Sequence, residues 1–174
     1  MQQRKQIRKY DADGKPGLWL DGIETTPGEK FDYRLRVMNG TDRPRNNVAM
    51  YDVLPYVGDH GLDESSAQRE SKFANTVDTT RKPTVPKGMK IQYYNSNNPV
   101  PEYNLSNADD VLSKLNWSDT PSENTKVIRV VPVSTMTLDA RSSLEVILPM
   151  KANNETSSPG QPIPANLNQK AWNS

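Results

Sequence analysis

The sequence predicts an all-β fold, an immunoglobulin-like antiparallel β-sandwich with long loops and at most one or two short helices. Six or seven segments alternate apolar and polar residues, and the connections between them are polar and rich in proline. Side chains of a strand point alternately to its two faces, so this alternation is typical of half-buried strands. Almost no helical pattern interrupts them. Residues 1–174 are predicted to form one domain of this kind.

The clearest predicted strand covers residues 31–38, where Phe31, Tyr33, Leu35 and Val37 alternate with polar neighbours. Turn signals flank it on both sides, a Pro-Gly pair before it and an Asn-Gly pair after it. Other strands are predicted near the N-terminus, around Tyr51 up to Pro55, and at 89–93, 127–133, 144–150 and 170–173.

One short helix is predicted over residues 107–115. Asn107 is placed to cap it, acids occupy the first turn, and apolar residues recur at helical spacing. A helix of about two turns is an addition to the fold and does not form its main framework. Residues 159–164, which include three prolines, are predicted to be a stiff loop before the last strand.

The composition excludes several functions. The chain has 22 basic and 21 acidic residues, and neither sign forms a long block, so neither nucleic acid nor a membrane surface is an expected partner. Cysteine is absent, which excludes disulfides, zinc–thiolate sites and thiol nucleophiles. No metal or other cofactor is expected.

A hydrolase is disfavoured for a related reason. His60 is the only histidine, so a Ser-His-Asp triad could be built only around it. It lies in a Gly-Asp-His-Gly turn, and no Gly-x-Ser-x-Gly motif occurs in the chain. An exposed turn histidine is the favoured interpretation. The Asp-Ala-Asp-Gly sequence at 11–14 begins like a calcium loop but lacks the later ligands, so an Asx turn is favoured there.

The most informative residue is Asp52. Val48, Met50, Asp52 and Leu54 share one face of a predicted strand, and three of these four are core residues. A carboxylate on such a face is either a burial cost or a chemical reagent. Two interpretations stay open: Asp52 accepts hydrogen bonds from backbone amides ahead of Leu54-Pro55, or it takes part in a reaction.

Several segments together resemble repeat domains of Gram-positive cell-wall-anchored surface proteins, which are related to collagen-adhesin-type domains. The segments are Thr-Pro-Gly followed by Phe-Asp-Tyr-Arg-Leu-Arg-Val-Met-Asn (26–39), Tyr-Asp-Val-Leu-Pro-Tyr-Val-Gly-Asp (51–59), Tyr-Tyr-Asn with Asn-Pro (93–99), Asn-Trp-Ser (116–118) and Ala-Trp-Asn-Ser (171–174). The resemblance covers nearly the whole chain.

The resemblance implies an extracellular structural or adhesive module, anchored to the cell wall through segments outside this chain. The implied partners are neighbouring domains of the same surface protein. An alternative is a ligand-binding adhesin domain that recognises a host matrix protein or glycan through the long loops at 61–82 and 95–116. An enzyme with turnover is not implied.

The resemblance also implies a self-made cross-link, an isopeptide bond between a lysine and an asparagine assisted by a buried acid. Burial disfavours the charged amine and the charged acid, which lets the amine attack and the acid donate a hydrogen bond. Lys9, Asp52 and Asn173 are the nominated residues, with Lys5 as the alternative nucleophile because it shares the parity of Lys9. Lys9 as a solvated strand-end lysine and Asn173 as a turn residue are the competing interpretations.

Overall fold

The computed structural model describes residues 1–56, 75–104, 106–152 and 162–164, and confirms the all-β prediction. The described elements, in chain order, are β1 (Gln2–Lys9), β2 (Gly22–Glu24), β3 (Lys30–Met38), β4 (Arg45–Asn46), β5 (Met50–Val53), β6 (Asn75–Val77), β7 (Met89–Asn95), α1 (Ala108–Ser113), β8 (Trp117–Ser118), β9 (Thr125–Pro132), β10 (Thr137–Leu138), β11 (Ser143–Ala152) and β12 (Pro162–Pro164). The predicted strand at 170–173 lies outside the described residues.

Two four-stranded antiparallel sheets form the body of the molecule. The first has the order β1-β3-β11-β6 and the second the order β5-β9-β7-β8. Two short ribbons, β10-β4 and β12-β2, accompany them. The strand β12 corrects the prediction of a loop at 159–164: its three residues pair antiparallel with β2. Proline is tolerated there because an edge pairing does not need every backbone N–H as a donor.

The main core lies between the two sheets. On β3 the predicted apolar face is buried as expected, and Tyr33 lies opposite Ile7 of β1 and Leu148 of β11. The second sheet contributes Met50 and Ile128 to the same cluster. Since both sheets bury one face against this shared core, the arrangement is a β-sandwich.

The second sheet is covered on its outer face as well. The four residues of β5 are all buried, because Met50 faces the main core while Tyr51 and Val53 face a second apolar cluster. Leu112 of α1 is fully buried in that second cluster, and Val100 joins it from the preceding segment. The helix therefore covers the sandwich on one side, in agreement with its predicted minor role.

The predicted cap of α1 is wrong in its detail. Asn107 occupies the N-cap position, but its side chain makes no capping hydrogen bond to the helix. Its carboxamide oxygen instead accepts a hydrogen bond from the backbone N–H of Asn104, at 2.7 Å. The asparagine therefore stabilises the turn before the helix, a local alternative that short polar side chains often take.

Candidate functional site

Lys5 and Asp52 meet inside the sandwich. Lys5 lies on β1, at one edge of the first sheet, and Asp52 lies on β5, at one edge of the second sheet. The Lys5 Nζ donates a hydrogen bond to Asp52 Oδ2 at 2.9 Å. Both side chains are buried, with exposed fractions of 5% and 2%. The pair thus joins the two sheets through a charged or proton-sharing contact that is shielded from water.

Aromatic and amide groups surround this pair. The Lys5 Nζ lies 3.7 Å from the centroid of the Tyr33 ring, and the Tyr33 hydroxyl accepts a hydrogen bond from Asn75 Nδ2 at 3.1 Å. Within the part of the chain that the structure describes, Asp52 Oδ1 has no hydrogen-bond partner. A buried carboxylate oxygen without a donor costs stability, so a further hydrogen-bond donor at this atom would stabilise the site.

The prediction that Asp52 faces the core is confirmed by its burial beside Met50 and Leu54. The alternative in which backbone amides hold Asp52 is not what the structure shows, because its hydrogen-bond partner is the Lys5 amine. Two opposite charges in an apolar interior attract strongly but also lose their hydration. Transfer of a proton from the amine to the carboxylate would remove both charges and would give the neutral amine that a nucleophile requires.

Lys9 is not the lysine that the structure brings to Asp52, which corrects the preferred assignment. Lys9 is the last residue of β1, and its amino group donates to the backbone carbonyl of Glu24 at 2.8 Å. It also lies 3.2 Å from the Glu29 carboxylate, and 42% of its side chain is exposed. Although Lys5 and Lys9 share parity, only the lysine in the middle of the strand is covered by the opposite sheet.

Asn173 and His60 lie outside the described residues. The role of Asn173 as acceptor therefore stays a prediction, and so does the interpretation of His60 as a turn residue. The position of Lys5 in the sequence could have indicated that it is the buried lysine. It lies in the interior of the first strand, whereas Lys9 lies close to the polar loop at 11–14. Side chains at strand ends reach solvent more readily than those in the middle.

A second polar site, the Arg81 cluster, was not predicted. It consists of Arg8, Tyr10, Asp32, Asp78 and Arg81, and joins the turn after β6 to the first sheet. The carboxylate of Asp32 is 1% exposed. It accepts hydrogen bonds from Arg8 Nε, from the Tyr10 hydroxyl and from Arg81 Nη1.

All three nitrogens of the Arg81 guanidinium donate hydrogen bonds. Its Nε donates to Asp78 at 2.8 Å, its Nη1 donates to Asp32 at 2.8 Å, and its Nη2 donates to the backbone carbonyls of Phe31 and Met150. A planar guanidinium is suited to such multiple contacts, whereas an ammonium is not. In the sequence, the only feature that pointed to this cluster was Asp32 on the polar face of β3, and the sequence pattern gave no indication that Asp32 is buried.

Acid is expected to weaken the Arg81 cluster. Burial alone would raise the pKa of Asp78, but hydrogen bonds from Thr80 and Arg81 outweigh it and lower the pKa to about 2. Because the folded-state pKa lies below the unfolded value, Asp78 stabilises the fold above about pH 4 and this contribution is lost as the pH falls toward 2. The contribution is about 2 kcal/mol.

Urea unfolding of the wild type and of Asp78→Asn between pH 7 and pH 2 measures this contribution. The wild type is expected to lose more stability over this range than the variant does. Equal pH dependence in the two proteins would contradict the assignment.

The loop at 11–14 closes on itself. Asp11 Oδ1 accepts hydrogen bonds from the backbone N–H groups of Asp13 and Lys15, at 2.9 and 2.8 Å. This is the Asx turn that the sequence favoured. Over residues 1–56, 75–104 and 106–152, the structure shows no group of three or more acidic or histidine side chains placed to hold a metal ion. No helix in the described part of the chain is long and apolar enough to span a membrane.

Comparison with protein-family models gives no match for this chain, and comparison with curated proteins gives none either. The fold and the candidate site define an all-β sandwich protein with a buried lysine–aspartate pair between its sheets.

Proposed function

We propose that this protein is an extracellular structural module of a bacterial cell-wall surface protein, and that it fastens itself through an isopeptide bond formed by Lys5. The observation that carries the proposal is the 2.9 Å contact between the buried Lys5 amine and the buried Asp52 carboxylate. The resemblance of the sequence motifs to cell-wall surface repeats supplies the cellular setting. Asn173, in the Ala-Trp-Asn-Ser segment, is the proposed acceptor.

The reaction follows from the chemistry of this pair. After the Lys5 ammonium gives a proton to Asp52, the neutral amine attacks the carboxamide carbon of the asparagine. The protonated Asp52 donates a hydrogen bond to the carboxamide oxygen, on which negative charge develops. The new C–N bond replaces the bond to the asparagine nitrogen, which takes one proton from the attacking amine and leaves as ammonia. The reaction occurs once in each molecule.

Such a bond suits a load-bearing module. A cross-link between residues 5 and 173 closes a loop of nearly the whole chain, which restricts the unfolded state. The chain-entropy model for long loops gives about 4–5 kcal/mol of stabilisation. The Tyr33 ring and the shared core exclude water from the Lys5 amine and the Asp52 carboxylate, and the same surroundings would protect an amide formed at Lys5.

Packing of the described loop favours this structural role over ligand binding through loops. The segment from 95 to 116 folds against the second sheet: Val100 and Leu112 are buried there, and the Trp117 Nε1 donates to the Leu112 carbonyl at 3.0 Å. Loops that bind ligands expose their side chains on a rigid scaffold. This one uses its apolar side chains to cover the sandwich.

The intact mass of the purified protein tests the proposal. We expect the wild type to weigh less than its sequence by one ammonia, and Lys5→Ala, Asp52→Ala and Asn173→Ala to show the full mass of their sequences. Lys9→Ala is the matched control, since it removes a lysine of the same strand and parity, and it is expected to keep the deficit.

Three outcomes would contradict the proposal. The wild type has its full sequence mass, or Lys9→Ala removes the deficit while Lys5→Ala keeps it, or the deficit equals one water. The last result would indicate a direct amide between Lys5 and Asp52, in which Asn173 has no part. Peptide mapping after digestion identifies the two joined residues independently of the mass.

A further inference from the structure

The outer face of the first sheet carries a group of arginines. Arg4 of β1 and Arg34 and Arg36 of β3 alternate with core residues and so point away from the sandwich interior. In the strand register, Arg4 lies directly opposite Arg36, and Gln6 lies directly opposite Arg34. These three arginines, together with Gln6 and Trp19, are called the arginine face below.

The arginine face holds three arginines and has two acids beside it, Asp21 and Glu145. Like charges directly opposite one another on neighbouring strands destabilise a sheet. The nearby acids offset part of this repulsion: Asp21 lies 3.8 Å from Arg4, and Glu145 of β11 lies directly opposite Arg36 in the strand register and 3.9 Å from Arg34. Within the described part of the chain Arg36 makes no ion pair, and it is exposed. The guanidinium groups therefore keep donors available for an anion from outside.

Arg34, at the centre of the arginine face, is held in place before any ligand arrives. Arg34 Nη2 donates a hydrogen bond to Gln6 Oε1, and the Arg34 guanidinium lies 4.6 Å from the Trp19 ring centroid. Arg8, which is bound to Asp32, stacks on the same ring at 4.4 Å. Side chains that are already ordered lose less entropy when they bind, so this arrangement favours binding.

We propose that the arginine face binds a linear sulfated polysaccharide. The planar, weakly hydrated guanidinium matches the oxygens of a sulfate group with two parallel hydrogen bonds. Small ligands need a concave site, but the face of a sheet is open and suits an extended chain. Directly opposed side chains are separated by about 5 Å and diagonal ones by about 7 Å, so Arg4, Arg36 and Arg34 can contact successive sulfates.

A membrane surface is the less favoured ligand. Leu18 is 80% exposed beside Trp19, and an apolar loop near arginines is a feature of some membrane-binding surfaces. Trp19, however, packs on two guanidinium groups and is not free to insert among lipids. The proposal concerns the outer face of the sheet, so it does not depend on the cross-link, whose described residues, Lys5 and Asp52, are buried between the sheets.

Binding to a size-defined heparin oligosaccharide, measured by titration calorimetry at several salt concentrations, tests the proposal. We expect Arg4→Gln/Arg36→Gln to bind about tenfold more weakly and with a shallower salt dependence. Glu145→Gln is expected to bind more tightly because it removes the acid beside Arg34. The control Arg43→Gln/Arg45→Gln removes two exposed arginines elsewhere and is expected to stay within about twofold of the wild type.

Thermal unfolding shows whether the double variant is intact. Its midpoint is expected to lie close to that of the wild type, since the repulsion relieved between Arg4 and Arg36 offsets the lost pairing of Arg36 with Glu145. The proposal is overturned if the wild type does not bind heparin at low salt, or if both double variants weaken binding equally. It is also overturned if phosphatidylserine vesicles bind in place of heparin and Leu18→Ser abolishes that binding.

Discussion

Asp52→Leu is expected to have a free energy of unfolding about 3–5 kcal/mol below that of the double variant Lys5→Met/Asp52→Leu, because its Lys5 keeps a buried amine without an acid. The double variant Lys5→Met/Asp52→Leu removes both polar groups and fills the same space with apolar atoms. Replacement of a buried ion pair by apolar residues of similar volume is often neutral or stabilising, whereas removal of one partner leaves the other buried without its counter-charge. Urea unfolding of the two variants measures the difference.

This comparison is independent of the cross-link, since neither variant holds the acid that the reaction requires. Lys9→Met is the control for removal of a lysine from the same strand. Because Lys9 is partly exposed and pairs with Glu29 at the surface, its loss is expected to cost less than about 1 kcal/mol. A double variant as unstable as Asp52→Leu would show that the Lys5 amine is not an energetic burden without Asp52.

Replacing Arg81 with methionine is expected to cost about 3–5 kcal/mol as well. The substitution removes every hydrogen bond of the guanidinium and leaves the buried carboxylates of Asp32 and Asp78 with fewer donors. The carbonyls of Phe31 and Met150 also lose a donor. Urea unfolding at pH 7 measures the effect.

Two further variants serve as comparisons for the stability loss of Arg81→Met. Arg81→Lys keeps the charge but cannot reproduce the fork, so it is expected to recover only part of the loss. Arg141→Met removes an arginine whose ion pair with Asp42 is exposed on both sides, and it is expected to cost less than about 1 kcal/mol. If Arg81→Met and Arg141→Met had equal effects, the cluster would not stabilise the fold as described.

Much of the fold could be predicted from local patterns. The alternation in 31–38 corresponds to β3, and the alternation around Tyr51 correctly placed Asp52 on the inward face. Short strands such as β4, β6 and β10 were missed because two or three residues show no periodicity. The position of β12 was also missed, since its pairing with β2 depends on chain segments far apart in sequence.

The candidate site could be predicted only in part. The alternation of side chains along a strand decides which face each residue takes. It identified Asp52 as an inward-facing acid and left Lys5 and Lys9 as the two candidate lysines of the first strand. The choice between these two depended on which length of β1 is covered by the second sheet, and that is a property of sheet packing. The Arg81 cluster was missed for the same reason, because its arginine and Asp32 are 49 residues apart in the sequence.

The sequence by itself therefore determined the fold class, the inward direction of Asp52 and the absence of thiol chemistry. Those properties follow from side-chain period and composition, which act over a few residues. Only the tertiary structure decided that Lys5 is the partner of Asp52, that Arg81 holds Asp32, and that Arg4 lies opposite Arg36. Each of these depends on strand register and sheet order, which arise from contacts between segments far apart in the chain.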